Sequence, residues 1–148
     1  MPASFPMLDD RVAVSGQLRP GDMAEIAAAG FVAVVNNRPD GEAMFGQPRT
    51  ADIARAAEAA GLTFLDLPFS GPRATPDQVR ALVDLLAKKP GKVIVYCKSG
   101  MRSALLWGAA ALASGRPLGD VVAAARHAGQ NVEPATEIMA SLARAARQ

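Results

Sequence analysis

The chain has 148 residues, half of them hydrophobic, with one cysteine, one histidine and a formal net charge of +2. That length suits one domain, residues 1–148, able to bury a core without disulfides or metal. A single cysteine excludes an internal disulfide, one histidine beside it supplies too few soft ligands for an ordinary zinc site, and scattered charge with 5% aromatics offers no basic stripe for nucleic acid.

The opening Met1-Pro2-Ala3-Ser4-Phe5 lacks the charged and apolar regions of a secretory signal, and the longest helical apolar run, Ala104 to Ala113, is too short to span a bilayer. The expectation is therefore a cytoplasmic protein that binds neither membrane nor nucleic acid and needs no cofactor or metal.

In chain order, Arg11-Val12-Ala13-Val14 reads as a short strand that turns at Ser15-Gly16. Pro20 to Ala29 reads as a helix stopped by Gly30, and Phe31-Val32-Ala33-Val34-Val35 as a strand covered on both faces. The polar stretch Asn36 to Glu42 is a loop. Thr50 to Ala60 forms the next helix, with Thr50 as N-cap, and Thr63 to Leu67 the third strand. After a loop from Pro68 to Ala74 comes the clearest helix start, where Thr75 caps, Pro76 takes the first position and Gln78 completes a capping box. That helix runs to about Lys88. Pro90-Gly91 turns the chain into Val93-Ile94-Val95-Tyr96, and a helical pattern begins at Ser103. Two further helices, Leu118–Ala128 and Pro134–Ala146, complete the chain; their alanines suit close packing on a core or a dimer contact. Strands alternating with helices predict an α/β fold with a central, mainly parallel sheet flanked by helices.

In such sheets ligands sit beyond the carboxyl ends of the strands. The apolar run ending at Cys97, followed by Lys98-Ser99-Gly100-Met101-Arg102-Ser103, is a strand, a tight loop and a helix start. Unpaired amides at a helix N-terminus and a fixed cation lower a cysteine pKa, so Cys97 is the candidate nucleophile and Arg102 the candidate oxyanion holder. Ser103 offers a hydroxyl to the sulfur. Lys98 either attracts an anion or is a solvated loop residue, and Met101 packs the pocket wall or meets substrate. Arg38, at the same rim, either helps hold an anion or pairs with Asp40 and Glu42. His127 is read as a surface or capping residue.

Cys-x-x-Gly-x-Arg-Ser after an apolar strand resembles the signature loop of cysteine-dependent tyrosine and dual-specificity phosphatases. Together with Ser15-Gly16-Gln17-Leu18, Ala29-Gly30-Phe31, Val34-Val35-Asn36 and Arg38-Pro39-Asp40-Gly41-Glu42, it is similar to the phosphatase-like domain of beta-lactamase-hydrolase-like proteins, over roughly residues 10 to 115. The resemblance implies a cysteine-phosphatase-like fold with Cys97 as nucleophile and Arg102 as anion binder, and Lys98, Ser99, Gly100, Met101 and Ser103 around the substrate. Two departures stand out. Four residues, not the phosphatases' five, separate Cys97 from Arg102. The stretch that should carry an acidic proton donor reads Phe69-Ser70-Gly71-Pro72-Arg73, which leaves Asp66, Asp40 or Asp77 to serve.

A four-residue gap is the spacing of rhodanese-type loops, and the resembled group also occurs beside sulfide-oxidising and persulfide-handling enzymes. The leading expectation is therefore a sulfurtransferase that takes a sulfane sulfur from thiosulfate or a persulfide through a Cys97 persulfide. The alternative is a phosphatase acting on a phosphate ester through a cysteinyl-phosphate. A non-catalytic module binding phosphate or sulfate through the same loop is the third possibility.

Overall fold

The structure, a computed structural model, describes residues 4–148; Met1-Pro2-Ala3, part of the stretch read for a missing leader, lies outside them. Four short apolar runs pair into a wholly parallel sheet: β1 (Val12–Ser15), β2 (Phe31–Asn36), β3 (Thr63–Asp66) and β4 (Lys92–Tyr96), in the order β1-β4-β2-β3. The strand leading to Cys97 is thus interior, with Val93 opposite Val12 of β1 and Val95 opposite Val35 of β2. Val93, Ile94, Val95 and Tyr96 are all completely buried, as a continuous apolar run requires when both faces of a sheet are covered.

Successive side chains leave opposite faces, and the core divides accordingly. Val12, Val14, Val35, Val93 and Val95 enter a larger core closed by α3 (Pro76–Lys88), α4 (Met101–Ala113), α5 (Leu118–His127) and α6 (Thr136–Ala146). Ala13, Val34, Ile94 and Tyr96 enter a smaller one closed by α1 (Met23–Ala28) and α2 (Thr50–Ala59). Helix α4 has no solvent face between Ser103 and Ala111, every residue there being buried. Gly108 permits this: a Cβ there would lie 2.4 Å from Met139 Sδ of α6. The alanine-rich C-terminal helix is therefore packed against α4.

Local expectations hold with three adjustments. The helices expected from Pro20 and from Pro134 open as 3-10 turns, Pro20–Asp22 and Glu133–Ala135, which continue into α1 and α6. Thr50 is the first residue of α2, not its cap; its amide and hydroxyl donate to Asp40 Oδ1 at 2.9 and 2.8 Å, so the capping carboxylate comes from upstream. Helix α4 starts at Met101, which puts Arg102 in its first turn. The capping box of α3 forms as read, with Gln78 N–H donating to Thr75 Oγ1 at 3.1 Å and Thr75 N–H to Gln78 Oε1 at 3.0 Å. Among the described residues no helix is long and apolar enough to cross a membrane.

Candidate active site

Parallel pairing brings the carboxyl ends of all four strands to one rim, and backbone bonds tie the segments that follow them. Cys97 N–H donates to Ser15 O at 3.3 Å, Asn37 N–H to Tyr96 O at 2.8 Å, Gln17 N–H to Lys98 O at 3.2 Å and Phe69 N–H to Asn37 O at 3.2 Å. The loop after β4 then turns at Gly100, whose φ of 99° lies in the left-handed region that favours glycine. A Cβ at Gly100 would also sit 2.6 Å from Gln130 Nε2.

This turn aims amides at the sulfur. Gly100 N–H donates to Cys97 Sγ at 3.1 Å, and Cys97 is only 1% exposed. Burial is the largest single influence on the thiol and pushes its pKa up. The amides of Ser103, Gly100 and Ser99 together outweigh it, so the thiol stands below its ordinary value. The Ser103 hydroxyl contributes least: its one proton goes to Asn37 Oδ1 at 2.8 Å, while Asn37 Nδ2 donates to Leu67 O at 3.0 Å. Ser103 therefore serves the sulfur mainly through its backbone, not through the hydroxyl that the sequence draws attention to.

Arg102 is held by a carboxylate. Its Nη1 donates to Glu42 Oε2 at 2.7 Å and to Phe69 O at 3.1 Å, and its Nη2 donates to Glu42 Oε1 at 2.9 Å. A guanidinium has five N–H groups. These contacts use three and leave Nε–H and one Nη2–H, adjacent on one edge of the fork, for an oxyanion. Glu42 is gripped a second time by Arg38 Nε at 2.9 Å, and Arg38 Nη1 donates to Gln17 Oε1 at 2.9 Å. Hydrogen bonding from Arg102, opposed by burial and assisted by Arg38, holds the Glu42 carboxyl at about 2. The result is a chain of contacts, Gln17 to Arg38 to Glu42 to Arg102 to Phe69 O, that crosses the segments after all four strands.

Above the loop opens a pocket of about 850 Å³. Lys98, Met101 and Arg102 line it from the chain after β4, Arg38 and Glu42 from the segment after β2, and Gly71 and Pro72 from the segment after β3. Leu105, Asn131, Pro134 and Ala135 close it from the C-terminal half. Lys98 and Ser99 are exposed, as is Met101 at 39%. Arg38 lines the pocket but is 6% exposed, with Nε and Nη1 engaged. Of the two readings of Arg38, the ion pair is therefore the one seen, with Glu42 as its partner.

The three aspartates considered as proton donors are elsewhere. Asp66 accepts from Asn36 Nδ2 at 2.8 Å, Asp40 anchors the start of α2, and Asp77 pairs with Arg80 on the first turn of α3. None lines the pocket. Arg73 is likewise outside the lining, and His127 is an exposed residue in the last turn of α5. The sequence reading offered Glu42 as a partner of Arg38 but missed its bond to Arg102, and it missed the roles of Gln17, of Asn37 and of Gln130, whose Nε2 donates to Ser99 O at 3.1 Å. Glu42 and Arg38 had a legible signal in their i, i+4 spacing and opposite charge; the bond to Arg102, sixty positions away, had none.

A parallel sheet with helices on both faces, and a buried thiol at a strand end under a helix N-terminus and an arginine, define a cysteine-phosphatase-like protein. The chain belongs to the family described as Beta-lactamase hydrolase-like protein, phosphatase-like domain, which matches residues 4–114. A Beta-lactamase hydrolase-like protein of Agrobacterium fabrum is 36% identical over 100 residues, covering 68% of this chain and 23% of the relative. One from Xylella fastidiosa is 34% identical over 121 residues, covering 82% of this chain and 28% of the relative. The chain thus spans about a quarter of the curated relatives' length.

Among solved structures, a phosphatase candidate from Neisseria meningitidis is 32% identical with a TM-score of 0.80, covering 93% of this chain and 97% of that one. Tk-PTP in its active form, 21% identical at a TM-score of 0.74, covers 99% and 98%. PTPMT1 in complex with PI(5)P, 18% identical at 0.72, covers 93% of both and shares the fold. The family match and the Neisseria meningitidis likeness support the phosphatase alternative better than the sulfurtransferase expected first, while Tk-PTP and PTPMT1 show the shared fold.

Proposed function

We propose that this domain hydrolyses phosphate monoesters through a cysteinyl-phosphate at Cys97. The observation that carries the reading is the pairing of a thiol held below its ordinary pKa by three amides with an arginine that keeps one edge of its fork open. Cys97 attacks phosphorus as the bond to the ester oxygen breaks, and water then displaces the sulfur and releases phosphate; the free Nε and Nη2 hydrogens of Arg102 hold two non-bridging oxygens, and the amides of Ser99, Gly100 and Ser103 stabilise the sulfur as it attacks and later leaves. Lys98 adds a cation at the mouth and Met101 a wall, while Arg38 acts on the substrate indirectly, by fixing Glu42. A lone cysteine used as a thiolate suits a reducing, cytoplasmic compartment. The PI(5)P bound by PTPMT1 is itself a phosphate ester, the chemical class proposed for this chain. In the decisive assay, 4-nitrophenyl phosphate is turned over by the unaltered chain and not by Cys97→Ser; equal rates in the two would remove the proposal.

Sulfane-sulfur transfer remains the second reading, favoured by the four-residue spacing from Cys97 to Arg102 and by the aspartate-free pocket. In it the thiolate attacks the outer sulfur of thiosulfate and sulfite leaves without needing a proton, with a sulfide-oxidising enzyme as a natural neighbour. A Cys97 persulfide seen by mass spectrometry after thiosulfate, with thiocyanate formed from cyanide, would establish it.

A further inference from the structure

The pocket lined by Lys98, Met101 and Arg102, which directly follow Cys97 in the chain, combines two features that the phosphatase reading alone does not require. The first is chemical. Among the residues lining it, Glu42 alone carries a carboxyl, and that carboxyl is ionised and clamped between two guanidinium groups. Asp40, Asp66 and Asp77 are each committed outside the pocket, to Thr50, Asn36 and Arg80. The segment after β3 contributes Gly71 and Pro72, neither of which has a proton to give. The second feature is shape: the cavity is several times larger than a phosphoryl group needs, and Met101, Leu105, Pro72, Pro134 and Ala135 give it an apolar wall.

We infer that the physiological substrate is an activated phosphoryl compound, meaning an ester of an acidic phenol or enol or a mixed anhydride, carried on an apolar body of drug-like size. The inference rests on the phosphatase reading and narrows it. In the first step the Cys97 sulfur forms a bond to phosphorus while the phosphorus–oxygen bond to the leaving group breaks. That oxygen keeps the bonding pair and departs as a stable anion, so no proton donor is required. In the second step water oxygen bonds to phosphorus, the sulfur leaves as thiolate, and the water proton passes to solvent with phosphate as product. Lys98 and Arg102 favour the departing anion by charge alone. The apolar wall then holds the remainder of the substrate.

The test uses three substrates. For 4-nitrophenyl phosphate and 4-nitrobenzyl phosphate, nearly equal in size but opposite in leaving-group acidity, kcat/KM should fall at least ~10²-fold from the first to the second, the scale of a missing general acid. Moving from 4-nitrophenyl to the bulkier 4-methylumbelliferyl phosphate should lower KM. Comparable turnover of the nitrophenyl and nitrobenzyl esters, or a higher KM for the umbelliferyl ester, overturns the inference and leaves the phosphatase reading standing. Absence of any Cys97-dependent turnover overturns both.

Discussion

Cys97 is ionisable because of what its neighbours' backbones do, and the opposition of two effects makes that testable. Burial alone would keep the sulfur protonated; the amides of Ser103, Gly100 and Ser99 reverse the balance. Alkylation by iodoacetamide should therefore reach half its plateau rate at a lower pH than that of an unperturbed reference thiol measured alongside it. A midpoint at or above the reference thiol's would show that burial wins. Glu42 makes the opposite kind of prediction, since its carboxylate accepts from Arg102, the arginine proposed to hold the anion, and does not touch the Cys97 sulfur. In Glu42→Gln the charge leaves while the shape remains, so Arg102 loses its orientation and kcat/KM should drop ~10- to 100-fold, with Cys97 alkylation unchanged. The same variant has a pH signature. A carboxyl lowered from 4.5 to about 2 contributes stability that is present above pH 4.5 and lost as pH falls through about 2. Acid unfolding in that window should be steeper for the unaltered chain than for Glu42→Gln, as followed by circular dichroism.

At the scale of elements, the site depends on how β4 hands over to α4. One residue, Gly100, must take a positive φ, bring its amide within 3.1 Å of the sulfur and leave room for Gln130. Gly100→Ala violates the first and third conditions at once. Turnover should fall by more than ~10-fold while thermal stability declines by roughly 1–3 kcal/mol, the range for strain at a special backbone position; normal turnover in a stable Gly100→Ala protein would mean that the loop is not set by this glycine. The contrast with α3 is instructive. Its capping box was readable because all its partners lie within one turn, from Thr75 to Gln78. The start of α2 was misread because its cap, Asp40, reaches Thr50 from ten positions upstream, a distance that only the folded loop closes.

Over the whole molecule, α4 is the common pillar of the larger core, and Trp107 is its largest fully buried side chain. Its Nε1 donates to Asp9 Oδ2 at 3.2 Å, and the Arg116 guanidinium lies 5.3 Å from the ring centre. Trp107→Ala should cost about 3–5 kcal/mol, measured by urea denaturation, and because the same helix begins at the loop that follows Cys97 the variant should lose the proposed activity at temperatures where the unaltered chain is still active.

What could be known from the sequence was whatever short range decides: apolar runs that must be covered on both faces, the glycines and capping residues that bound helices, and a cysteine followed by a glycine, an arginine and a helix. Those readings place the α/β architecture and single out Cys97 and Arg102 as candidates, because hydrophobic period and helix-end chemistry act between near neighbours. Tertiary structure decided the rest. The strand order β1-β4-β2-β3 carries Glu42 to Arg102 and Asn37 to Ser103, and it sends Asp66, Asp40 and Asp77 to other work. Charges sixty residues apart meet only once parallel pairing has brought the strand ends to one rim, so the electrostatics of the pocket belong to the fold and not to any segment of the chain.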